Sequence, residues 1–384
     1  MSKIMITIRL MILPLLILVA PFAHVVTARQ ASATQERQLR RGAAVRIENP
    51  FGGIVIRGWD RDVVQANVEG LAGESTAIRI DDLSAGGLLV RPAAEARHAK
   101  GIALKVSLPT YAAIETIATT DGDVEIEGMG GPVEVKSGSG NVRISRVAGA
   151  TKVNTASGDI NVDRVPSLQV NSQSGDVTLS NLGGGAMVGT SGRLDARNVA
   201  GDVIVRTESG SVTLDNIAGQ LDIVMSSGSL KVFNAGGNIQ AVTIGGSINL
   251  QCVQGNVEAS TVTGSITLSG IHGDVSARTT SGGLRLTTAM RESGRYTMKS
   301  LSGSVRMFVE GEAPGFNGTL SSHSGRIETD YSLSVAGTTV EPTPENRRIV
   351  GRYGDGRAQI ELDSFEGSVG LNRTAAGANQ TCPK

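Results

Sequence analysis

Asp159 and Asp176 each follow Ser-Gly in two nearly identical stretches, NTASGDINVDRV (154–165) and NSQSGDVTLSNL (171–182). Two carboxylates at equivalent places on neighbouring structural units could stand about 5 Å apart, near the separation at which a retaining glycosidase holds its nucleophile and its acid. The same carboxylates could ligate calcium, because β-rolls with nine-residue half-turns bind it through units reading G-G-x-G-x-D-x-U-x. A third chemistry lies just before them. Ser139, Ser157, Ser174, Ser191, Ser209, Ser227, Thr263 and Ser281 recur at one place, with Thr155, Thr207, Thr243, Thr261 and Thr279 two residues earlier in their own copies. Such a hydroxyl column could order water or meet a glycan, ice or a mineral surface.

The aspartate column, read along the chain, argues for turns over sites. It runs Asp123, Asn141, Asp159, Asp176, Arg193, Ser211, Ser229, Ser247 and Ser265. Asp, Asn and Ser replace one another in turns because each hydrogen-bonds its own local backbone. The calcium pattern needs paired glycines and a displaced Asp, whereas here Asp follows Gly directly and a strand begins at once. His98, His272 and His323 have no second ligand at metal spacing. The glycine-rich NLGGGAMVG lacks the Lys-Ser/Thr ending of a phosphate loop. No residue is therefore assigned as catalytic, cofactor-binding or metal-ligating, and the chain is read as a non-enzyme without a cofactor.

What must position these residues is a repeat. Gly followed two places later by Val, Ile or Leu occurs at Gly122, Gly140, Gly158, Gly175, Gly192, Gly210, Gly228, Gly246, Gly264 and Gly282, in steps of 17 or 18. Two and four places after the Gly come apolar pairs such as Val142 and Ile144, or Ile160 and Val162. A second pair lies seven and five places before it, as in Val203 and Val205 before Gly210. Alternation with polar neighbours is the period of a half-buried strand. A fifth apolar column, seven places after the Gly, runs Met129, Val147, Val165, Leu182, Val199, Ile217, Val253 and Ile271. Two short strands nine residues apart, written every 18 residues, predict an all-β parallel β-solenoid of the β-helix or β-roll kind with about 18 residues per turn. Ladders of small aliphatic side chains explain why aromatics are only 3 % of the chain, and glycine corners explain 50 Gly.

The ends read differently. Lys3 and Arg9, the apolar run Leu10–Ala20 and Val26-Thr27-Ala28 have the order of a signal peptide, 1–28, cleaved after Ala28. A linker (29–44) leads into an irregular amino-terminal β head continuous with the coil (45–120). The regular solenoid spans 121–330, a loop or insertion 331–357, a last solenoid turn 358–372 and a disordered tail 373–384. No transmembrane segment is expected after signal cleavage. Cys252 and Cys382 are 130 positions apart, and their pairing requires the tail to fold back, which the sequence leaves open. Lys+Arg 36 against Asp+Glu 36 gives no global field toward nucleic acid or an anionic membrane, and nucleic acid is excluded as a partner.

The repeated SG[DNS][VI]x[VL] units, the opening VRIENPFGGIVIRGWD and the closing GDGRAQIELDSFEGSVGLN resemble a bacterial family of β-strand repeat proteins. It is the "putative adhesin" family numbered 4097 among domains of unknown function, and the likeness covers residues 40–372. The resemblance implies a secreted or surface-exposed β-solenoid and carries no catalytic residue over. The expected function is thus a surface, adhesion or scaffold module located outside the cytoplasm (periplasm, cell surface or secreted). It would bind a cell-envelope or extracellular macromolecule, protein or glycan. The alternatives are a polysaccharide lyase or glycosidase on the same coil, and ice or surface binding through the hydroxyl column.

Overall fold

A computed structural model describes residues 34–50, 52–69, 78–93, 102–335, 338–340, 347–374 and Cys382. The signal-peptide reading (1–28) and most of the tail lie outside the described residues, as do His98 and residues 341–346 of the insertion. The fold is a parallel β-solenoid of about 11 turns, with about 18 residues per turn.

Each regular turn contributes two strands, and each strand pairs with its copy one turn away. Val133–Ser139 runs parallel to Thr151–Thr155 with Val133 opposite Thr151, a step of 18, while Val142–Ser145 runs parallel to Ile160–Asp163 with Val142 opposite Ile160. Two stacks of strands result, and their inner faces enclose the five apolar columns. In one turn these are Val203, Val205, Val212, Leu214 and Ile217, none more than 1 % exposed. Each such side chain stabilises the stack by about 1.5 to 3 kcal/mol through removal from water. Every inner side chain sits on its own copy above and below. A bulky residue in one column would therefore force the neighbouring layers apart, which is why Val, Ile and Leu dominate.

The ends break the simple order. At the amino end the strands Ala44–Glu48 and Ile54–Trp59 form a layer lying between the later strands Leu88–Pro92 and Ala103–Pro109 on one side and Ala113–Asp121 and Val124–Glu127 on the other. The carboxyl end shows the same inversion. Ala358–Ser364 lies between Arg295–Ser302 and Phe316–Ser322, and Val369–Arg373 lies between Val305–Glu310 and Ile327–Thr329. The turn expected as the last is last in the chain yet is inserted one layer inward. The segment read as an insertion holds three short strands, Leu333–Val335, Thr338–Val340 and Arg348–Tyr353, and the third pairs antiparallel with Phe316–Ser322.

Antiparallel strands thus cover stack edges that would otherwise invite pairing with another chain. Aromatic rings, scarce in the regular core, gather at its carboxyl end, where Tyr296 and Phe316 are fully buried. Phe316 packs on Tyr331 and Tyr353 with ring centroids 5.3 Å away in both cases. Cys252 and Cys382 form a disulfide with Cα atoms 5.4 Å apart, so the chain end is tied back to a middle turn.

Candidate functional site

The Ser-Gly-Asp corner is the junction between the two stacks. Gly158 has φ +103° and Gly175 φ +107°, conformations that side chains rarely adopt. A Cβ on Gly158 would stand 2.2 Å from the Gly140 carbonyl oxygen, and one on Gly175 would stand 2.3 Å from that of Gly158. Glycine is needed here for both reasons at once.

The aspartates serve this corner. Asp159 Oδ1 accepts the backbone N–H of Asp176 at 3.0 Å, and Asp176 Oδ1 accepts that of Arg193 at 3.1 Å. Asp123 and Asn141 do the same for the turns after them, at 2.7 and 3.0 Å. Asp123, Asn141, Asp159 and Asp176 thus form a run of four caps, each side chain satisfying a donor on the next turn. An amide performs the task as well as a carboxylate, as Asn141 shows. Asp159→Asn is accordingly expected to shift stability by less than about 0.5 kcal/mol. Asp159→Ala should cost about 1 kcal/mol by leaving the Asp176 N–H without its acceptor. Chemical denaturation of the two variants beside the wild type checks the pair.

The hydroxyl column faces the wrong way for an external ladder. Thr155, Thr207, Thr243, Thr261 and Thr279 are only 4 to 7 % exposed. Thr155 donates to Ser157 O at 2.8 Å and Thr261 to Thr263 O at 3.1 Å, bonds that tighten their own turns. The serines before the glycine are half-buried or exposed, and Ser174 and Ser209 donate to backbone oxygens of the preceding turn at 3.2 and 3.0 Å. These threonines of the Ser/Thr ladder thus face inward, and only its serines and Thr263 are left for contact with ice, a glycan or a mineral surface.

Three further columns escape a reading centred on Ser-Gly-Asp. A second glycine ladder lies nine residues after the first, at the opposite corner. A Cβ on Gly219 would meet Gly201 at 2.3 Å, and one on Gly255 would meet Gly237 at 2.4 Å. Next to it, Asp202, Asn238 and Asn256 accept the backbone N–H of Gln220, Asn256 and Asp274 at 2.7, 2.8 and 2.9 Å. The third column has left-handed backbone at Arg146, Arg164, Asn181, Asn198, Asn216, Asn234 and Cys252. Its amides stack, with Asn198 donating to Asn181 at 3.1 Å and Asn216 to Asn198 at 2.8 Å. Asp163 starts this ladder. Burial pushes its carboxyl up, but hydrogen bonds from Asn181 and Ser180 and the Arg164 guanidinium outweigh that and hold it below the ordinary carboxylate range. The signal was present in the sequence as Asn directly before the fifth apolar column.

Outside the second corner runs a shallow groove. One section of about 820 Å³ has Ala113, Ile114, Ala150, Ala186 and Met187 in its lining, together with Glu115, Glu134 and Lys152. The next, of about 620 Å³, is lined by Gln220, Asn238, Gln240, Asn256, Glu258 and Asp274, with Arg278 and Arg295 at its end. Asp202 and Ile204 belong to both, so the groove is continuous along some ten turns, about 48 Å at the interstrand spacing. Among the described residues no group of three or more His, Cys, Asp or Glu could hold a metal ion. His272 donates its backbone N–H to Val253 at 2.8 Å, and His323 stacks on Phe365 at 4.4 Å.

A family model described as Toastrack DUF4097 matches residues 110–182 and 163–372. No curated protein matches the chain. Among solved structures, one described as a "putative cell adhesion protein" from Clostridium sporogenes covers 89 % of this chain and 100 % of its own at 11 % identity. Its TM-score is 0.16, too low to carry an argument about this chain.

Proposed function

This chain belongs to the Toastrack DUF4097 family, and from that premise we propose that it is a non-enzymatic scaffold or adhesion module acting outside the cytoplasm. It holds an extended macromolecule of the cell envelope, protein or glycan, along the groove of the second corner. The observation that carries this reading is the continuity of that groove over ten turns. Its two halves differ in a way that suits a long ligand, with an apolar floor around Met187 and a row of amides and carboxylates from Gln220 to Asp274. The non-enzymatic part is supported by the Ser-Gly-Asp corner, whose side-chain oxygens cap the backbone between turns.

Capture of envelope components by the protein recovered from outside the cytoplasm, with Arg29 as its first residue, tests the reading. Met187→Arg and Gln240→Arg place charge in the groove without touching the core and should lower capture about tenfold. Equal capture by wild type and variants would remove the groove from the function. Cleavage of any member of a broad glycan panel by the wild type would overturn the non-enzymatic assignment.

A further inference from the structure

A row of exposed apolar side chains runs along the face of the first stack, one residue before the Ser-Gly corner. Ile244, Val262, Leu301 and Phe365 are 46 to 60 % exposed. Register places Ile244, Val262, Thr280 and Leu301 on successive layers. The inserted carboxyl-terminal turn then sets Phe365 beside Leu301, with the Phe365 N–H donating to Ser300 O at 3.1 Å. His323, stacked on Phe365, ends the row. Five steps at the interstrand spacing make a crest about 24 Å long. Val224 and Val242, also exposed, widen it at one end. Single exposed apolar residues are ordinary, but an aligned row interrupted only at Thr280 is a marker of contact.

The slopes beside the crest are basic although the whole chain is neutral. Across the corner, Lys231, Arg285 and Arg306 lie in one outward column, and Arg326 sits at the corner itself. On the other slope lie Arg347 and Arg348. These six exposed cations form no ion pair among the described residues. Arg285 lies over the Phe308 ring, 4.2 Å from its centroid. Arg278 and Lys299 are also there, paired with Glu258 at 3.7 Å and Glu361 at 2.7 Å. The nearby carboxylates without an ion pair are Glu208, Glu328, Asp363 and Glu366, four against these six cations, so cations are in excess.

We infer that this crest docks the protein on an anionic lipid surface. Aliphatic and aromatic side chains enter the boundary between headgroups and acyl chains, and the arginines and lysine meet lipid phosphates on both sides. Interfacial binding of this kind grows with apolar area and with attraction to anionic lipid. A soluble polyanion would use the cations and leave the crest in water, and a protein partner would not need basic flanks on both slopes. The inference goes beyond the groove reading, since it concerns a different corner and a different ligand, and groove variants that fail leave it standing.

The test uses the full chain and vesicles of phosphatidylglycerol mixed with phosphatidylcholine. The only native tryptophan, Trp59, is in an amino-terminal layer, so Leu301→Trp adds a reporter on the crest. Its emission is expected to shift to the blue on anionic vesicles and to be quenched by brominated acyl chains. Raising salt from 0.1 to 0.5 M should weaken the response at least about threefold. Arg285→Gln with Arg306→Gln in the reporter background should weaken it similarly. An unshifted reporter, with or without sedimentation of the chain on the vesicles, overturns the proposal. So does crest-dependent capture of a soluble envelope protein or polyanion when vesicles leave the reporter unchanged. Because every substituted side chain is exposed, unchanged thermal unfolding of the variants separates lost docking from lost folding.

Discussion

Gly158→Val should destabilise the coil by about 3 to 5 kcal/mol, the range of substitutions that combine backbone strain with a buried clash. The new Cβ would press into the Gly140 carbonyl at 2.2 Å, and the residue would be held at φ +103°. Neither cost can be relieved locally, because Gly140 is itself fixed against Gly122, where a Cβ would stand 2.3 Å from the carbonyl oxygen. Loss of contact between two turns then weakens the layers on either side, since each layer is stabilised by its neighbours. Gly283→Ala is the matched control. Gly283 occupies the column of Asp159, its φ is not in the positive range, and a Cβ there meets only Ser304 O at 3.8 Å. The control should change stability by less than about 0.5 kcal/mol. Denaturant unfolding of the two variants decides the matter. A Gly158→Val protein as stable as the wild type would show that the corner can open without cost.

The second large effect is at the disulfide. Removing it by Cys382→Ser should cost the carboxyl end about 2 to 5 kcal/mol, given that the bond closes a loop of 130 residues. The loss should be local. Ala358–Ser364 and Val369–Arg373 are the last strands of the chain, yet they fill a layer between two earlier ones. Their retention depends on the anchor beyond Thr374, where Cys382 is bonded to Cys252. The site is also built to receive it. Gly270 continues the left-handed column of Asn198, Asn216, Asn234 and Cys252, and a Cβ there would stand 2.6 Å from the Cys382 sulfur. Hydrogen exchange should report faster exchange in the inserted turn and unchanged protection in the turns from Val133 to Ile217. Uniform acceleration, or none, would show that the bond does not hold the insertion.

Much of the corner is legible in the sequence. The 18-residue step, the two apolar pairs and the fifth column at Val147, Val165 and Ile217 all reflect a structure in which sequence neighbours of one period are spatial neighbours. The interchange of Asp, Asn and Ser after the glycine points to backbone bonding at the corner, but Asp159 and Asp176 accept from the next turn rather than from their own local backbone. The threonine column is ambiguous in the sequence because the pattern cannot tell a hydroxyl that faces out from one that bonds inward to its own turn. Thr155 is polar by composition and buried by geometry. The groove is not legible, because its lining mixes Ala, Met, Gln and Asn from many turns, with no repeated residue type to mark it.

The sequence by itself determined the coil, its period and the residues of its core, because parallel pairing between successive copies is a short-range rule repeated many times. Only the tertiary structure decided the order of the layers at both ends, the Cys252–Cys382 bond and the placing of Phe365 beside Leu301. Those features bring together residues about 40 to 130 positions apart at which the repeat is broken, and chain order does not specify which neighbour a displaced turn will choose. That choice is made by which layers offer a matching edge and an apolar face to cover. The surfaces available for binding are set by it.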